Sequence, residues 1–140
     1  MHGRMRAASL FIALAAGALA SAACVPTVRT PLEEIPKLKT LSEVMHNQAT
    51  AVDPLWGKAG SESFTDADYA TFADVSKRIS VTSLKIKDFT KGPEFDAIAV
   101  RLHDKAEALG AAAAAKDVGG VSTALKDMKA TCKDCHSQFR

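Results

Sequence analysis

From Leu41 to Phe139 the apolar residues recur at intervals of three and four, in four runs parted by proline, glycine and short polar turns. That period belongs to one face of an α-helix; a strand would alternate every second residue. The first run is Leu41, Met45, Ala49, Val52 and Trp56, with Ala59 continuing the line. It starts at Thr40-Leu41-Ser42-Glu43, a capping-box pattern in which threonine and glutamate satisfy each other's backbone amides. Pro54 predicts a kink, and Gly57 and Gly60 end the run.

The second run is Tyr69, Phe72, Ser76, Ile79 and Ser83, with Val75 and Leu84 beside it. Thr65 is its expected cap, Asp66 and Asp68 suit a positive helix start, and Phe64 is set to staple onto Tyr69. The third opens at Pro93, a favoured first helical residue, and carries Phe95, Ile98, Ala99, Leu102, Ala106, Leu109 and Ala113. The fourth is Val121, Ala124, Leu125, Met128, Cys132, Cys135, His136 and Phe139. Aromatics make up only 6% of the chain, too few for a sheet core, while alanine suits closely packed helices. Four helices with short connections predict an all-α, antiparallel up-down-up-down four-helix bundle over residues 40–140.

The N-terminal part reads differently. Arg4 and Arg6 precede an apolar run, Ala7 to Leu19, and then small residues up to Cys24. Charged start, short apolar middle and small-residue exit predict a secretory signal peptide over residues 1–23, too short for a transmembrane span. Residues 24–39, with Pro26, Pro31 and Pro36, predict a flexible, extended tether. The segment before Cys24 resembles a bacterial lipobox, whose cysteine becomes a lipidated N-terminus; Ser21 departs from the leucine-like residue usual three places earlier. The expected location is therefore the periplasm, with membrane contact only through a lipid on Cys24. Without Arg4 and Arg6, the eighteen basic residues become sixteen, equal to the sixteen acidic ones. A near-neutral chain lacking a basic block argues against nucleic acid as a partner.

The chain ends "ATCKDCHSQFR", on the apolar face of the fourth run. Two thiols at this interval can each add to one vinyl group of a porphyrin, and the imidazole that follows can bind the iron. Cys132 and Cys135 would then hold one covalent haem c, with His136 as axial ligand. Three other readings compete. A thioredoxin-like dithiol wants its cysteines at a helix start after a βαβ unit; here they stand at a helix end. Zinc wants a second pair of ligands, and only His46 or His103 is at hand. A disulfide leaves the histidine without a part.

On this ending, "TCKDCHSQFR", the chain resembles the class II c-type cytochromes, the cytochrome c′ and cytochrome c-556 family. The likeness runs from about Leu38 to Arg140, with a weaker match around Met45. The resemblance implies a four-helix bundle, one haem near the C-terminus, thioethers at Cys132 and Cys135, and proximal ligation by His136. An aromatic and an arginine after the histidine, here Phe139 and Arg140, are also usual. Many relatives dimerise, so the resemblance also implies a homodimer.

Bundle topology bears on the other side of the iron. In an up-down-up-down bundle the start of helix one and the end of helix four share one end. Met45 and His136 then lie at similar depth, counted at about 1.5 Å per residue. Met45 also faces inward on the first stripe, so its thioether can oppose His136. The resemblance agrees: c-556 members use a methionine there, whereas c′ members lack that bond and leave a pocket for small gases. A core-filling methionine is the alternative. Relatives often carry an arginine four residues before this position, where this chain has Leu41. His46 falls on a polar face, His103 borders the third stripe, and Trp56 lies further along the Met45 line.

Two functions are thus expected: a one-electron carrier with His/Met ligation, meeting redox proteins around Lys126, Lys129, Lys133 and Asp134, or a five-coordinate binder of nitric oxide or carbon monoxide. No acid–base pair, nucleophile constellation or phosphate loop points to an enzyme.

Overall fold

The computed structural model describes residues 29–140. The signal-peptide reading, Cys24 and the first part of the tether lie outside the described residues. Four helices follow one another: α1 (Leu41–Val52), α2 (Asp66–Ile86), α3 (Pro93–Ala114) and α4 (Val118–Phe139). Among the described residues there is no strand.

Local chemistry sets the helix starts. Thr40 accepts from the Glu43 amide while Glu43 reaches back to the amides of Thr40 and Lys39, and Thr65 and Asp68 repeat the arrangement on α2. The Phe64 ring meets Tyr69 edge-on at 5.8 Å, the expected staple. α3 begins at Pro93, and Asp117 caps α4 by accepting from the Gly120 amide. α1 does not run through Pro54. It ends at Val52, and Asp53–Lys58 tightens into a 3-10 turn.

The α2, α3 and α4 stripes fill the centre as their spacing predicts, down to Met128 on α4. Only Leu84 departs, being 47% exposed on the outer side of α2. Antiparallel neighbours are tied by Gln48–Thr82 between α1 and α2, by Ser76 to the Ala106 carbonyl between α2 and α3, and by Lys105–Asp127 between α3 and α4.

The tether expectation fails over its described part. Leu32–Lys37 forms a 3-10 helix whose Ile35 is 1% exposed, packed against α2. Arg29 pairs with Asp74 at 3.0 Å, and Arg78 donates to the Thr30 carbonyl at 2.7 Å. The prolines hid this contact: they remove helical period but leave one isoleucine free to pack against α2.

The ring of helices is not closed tightly. α1 packs on α2, α2 on α3 and α3 on α4, while α4 reaches the first hairpin mainly through the Asp53–Lys58 turn. The space left between α1 and α4 positions the site.

Candidate functional site

A cavity of about 730 Å³ opens between α1 and α4. One wall is the last turns of α4, with Cys132, Cys135, His136 and Phe139; the facing wall is Leu41, Met45, Ala49 and Val52 of α1. α3 supplies an apolar floor through Phe95, Ile98 and Leu102. The four candidate residues therefore meet around one space: Met45 from the start of the first helix, and the two thiols and the imidazole from the end of the last.

This changes the meaning of the α1 stripe. Leu41, Met45, Ala49 and Trp56 are only half-buried, because they face the cavity and not the bundle centre. The side of α1 turned to the bundle is a neighbouring stripe, Val44, Gln48 and Ala51, continued by Leu55. Gln48 is buried at 7% exposure, donates its amide to Thr82 Oγ1 at 3.1 Å, and also lines the cavity. Sequence reading passed over it as a polar residue. Its place on the Val44–Ala51–Leu55 spacing was the available signal.

The α4 ending is held from two sides. Cys132 packs on the main core and Cys135 on a second cluster made by Val44, Ile86, Phe95 and Ala99, against which Met45 and Phe139 also rest. The Phe139 ring stands edge-on to Phe95 at 5.2 Å. Lys91 donates to the Phe139 carbonyl at 2.7 Å, so a cation meets the negative end of α4. His136 is exposed at the cavity edge, less buried than a residue on a continuous stripe would be.

Burial pushes the Cys132 thiol up to about 11, with the charges of Cys135 and Asp53 adding to the effect. Cys135 is raised too, by burial first and by Asp134 next. As free thiols both would be neutral at pH 7, unlike the acidic cysteines of dithiol oxidoreductases. Zinc fares no better: among the described residues no cluster of three or more histidine, cysteine or acidic side chains could hold a metal ion. His103 lies elsewhere, half-buried with Nδ1 2.9 Å from Ser80 Oγ. His46 is exposed yet lines the cavity beside Met45, and also a smaller cavity of about 110 Å³ lined by Arg29 and Thr30.

The residues present fit a haem. The volume lies within the ~300–1,000 Å³ typical of cofactor sites. Its walls are apolar, and its donors are two thiols and an imidazole within one helical turn. Trp56 also lines the cavity, its indole N–H held by Asp53 Oδ1 at 3.0 Å and its ring under Lys129 Nζ at 5.8 Å.

An all-α bundle with such an ending defines a four-helix c-type cytochrome. Comparison with known proteins agrees. The family described as Cytochrome C' matches residues 37–140. A curated cytochrome c' of Pararhodospirillum photometricum is 39% identical over 71 residues. The aligned stretch covers 51% of this chain and 57% of that relative, so the chain spans little more than half of the relative's length. No solved structure matches it significantly. The chain belongs to the cytochrome c′ family, and its cofactor is a covalently attached haem c.

Proposed function

We propose that this cytochrome is a one-electron carrier of the periplasm and not an enzyme. In this reading Cys132 and Cys135 would hold the haem through thioethers, and His136 and Met45 would supply the protein ligands to its iron. The observation that carries it is the single cavity lined at once by Met45 from α1 and by Cys132, Cys135 and His136 from α4. Haem supplies the one-electron couple. The chain supplies constant coordination: a methionine–histidine pair favours reduced iron and need not change between oxidation states. Apolar walls from α1 and α3 would exclude water around the bound group, and Trp56 and Lys129 among the lining residues would be available to a partner. The Arg4–Leu19 pattern supports export, and the residues before Cys24 support a lipid at that thiol.

A second reading has its own support. The matching family and the curated relative are cytochromes c′, and Met45 is a half-buried wall residue of the cavity. With Met45 off the iron, the same site takes nitric oxide or carbon monoxide. The visible spectrum of the ferrous protein, with and without carbon monoxide, decides between them. Sharp low-spin bands that carbon monoxide barely alters support the carrier. A broad high-spin spectrum that converts fully with carbon monoxide supports the gas binder.

A further inference from the structure

We propose that the α4 face bearing Lys126, Lys129 and Lys133, with Trp56 beside it, docks a redox protein whose contact surface is acidic; this rests on the carrier reading.

Three observations carry it. First, charge is sorted around the cavity. A chain with sixteen bases and sixteen acids beyond residue 23 lines this cavity with Lys91, Lys129, Lys133 and Arg140 against Asp53 alone. The two propionates of a haem offset part of that surplus, and Lys126 lies outside the cavity altogether.

Second, the acids of α4 are drawn away. Asp127 pairs with Lys105 at 2.9 Å and Asp134 with Arg101 at 2.7 Å, both on α3. The sequence shows Lys126, Lys129, Lys133 and Asp134 as a cluster of mixed sign; the fold separates it. The acids turn to α3, while Lys126, Lys129 and Lys133, spaced three and four apart, share another strip of the helix, from which Lys129 and Lys133 also line the cavity. None of the ion pairs among the described residues includes these three lysines.

Third, an aromatic side chain stands beside this strip at Lys129. Trp56 is half-buried, fixed by Asp53, and overlaid by Lys129. Tryptophan is a residue on which interface energy concentrates, and unpaired rim charges raise the association rate of an oppositely charged partner.

The test uses the reduced holoprotein and two one-electron oxidants of opposite charge, hexacyanoferrate(III) and tris(phenanthroline)cobalt(III), in stopped-flow mixing at low and high ionic strength. Each oxidant takes one electron from the haem and is reduced by one. The expected result is fast oxidation by the anion that slows as salt rises. Lys126→Glu/Lys133→Glu should slow the anion at low salt by about tenfold and speed the cation. Lys77→Glu, on an exposed part of α2 away from the cavity, should alter either rate less than Lys133→Glu does at the same change in net charge. Rapid exchange with both oxidants that ignores these substitutions overturns the docking face and leaves the carrier reading standing. Exchange with neither removes both. Binding to phosphatidylglycerol vesicles that the double substitution abolishes would assign the face to a lipid surface and overturn the protein partner.

Discussion

Replacing Met45 with alanine separates a wall residue from a ligand. As wall, Met45 contributes little: it is half-buried and rests on the edge of the Val44–Ile86–Phe95–Ala99 cluster. A fully buried methionine-to-alanine change costs ~2–5 kcal/mol. Half the area, already bordering open space, reduces that to about 1 kcal/mol. In a domain of this size the melting temperature should then fall by roughly 3–6 °C. As ligand, Met45 does something packing cannot. If it occupies the iron ~90% of the time, carbon monoxide should bind about 10-fold more tightly once it is gone, and more so for higher occupancy. The assay is a carbon monoxide titration of ferrous wild type and Met45→Ala, followed in the visible bands, beside thermal melts of both. The expected result is a modest fall in melting temperature, loss of the low-spin spectrum, and a large gain in carbon monoxide affinity. A variant with the same spectrum and the same affinity, only slightly less stable, would refute the reasoning and leave Met45 as packing.

Ile35→Ala should lower unfolding free energy by about 2 kcal/mol in a urea titration with unchanged slope, since the side chain is buried against α2 and its loss opens a void. Lys91→Met removes the charge at the end of α4 and the bond to the Phe139 carbonyl; hydrogen exchange of the last-turn amides should quicken, at a cost of about 0.5 kcal/mol, with Lys91→Arg restoring protection. Asp68 has its carboxyl held at about 2 by Lys58 and the Thr65 backbone, below its ordinary 3.8. A lowered folded value means that its stabilisation is present above about pH 4 and is lost as pH falls toward 2. Asp68→Asn should therefore flatten the decline of the melting temperature in that window.

Much of the bundle was legible because its information is local. The capping box at Thr40, the cap at Thr65 and the α2 and α3 stripes involve residues within a turn or two of each other, and apart from Leu84 they stand as their spacing implies. The site was half legible. The Cys132-x-x-Cys135-His136 run carries its chemistry in its spacing, and topology alone brings Met45 to the same end. What spacing could not tell is which of two adjoining stripes on α1 faces the bundle. Leu41–Met45–Ala49 and Val44–Gln48–Ala51 are both helical, and only packing against α2 decides that the second goes inside while the first lines the cavity. Ile35 was missed for a similar reason. One apolar residue among prolines has no period, and its burial depends on packing against α2. Charge sorting on α4 is likewise tertiary, since it takes Arg101 and Lys105 of α3 to draw Asp134 and Asp127 aside.

The central claim is that the tail of α4 is covalently joined to haem through Cys132 and Cys135. Intact-mass measurement of the denatured, acid-acetone-washed protein tests it most directly, paired with thiol titration. The expected result is a mass increased by one haem, with Cys132 and Cys135 both closed to thiol reagents. A colourless polypeptide of unmodified mass, in which both those thiols react, would contradict it.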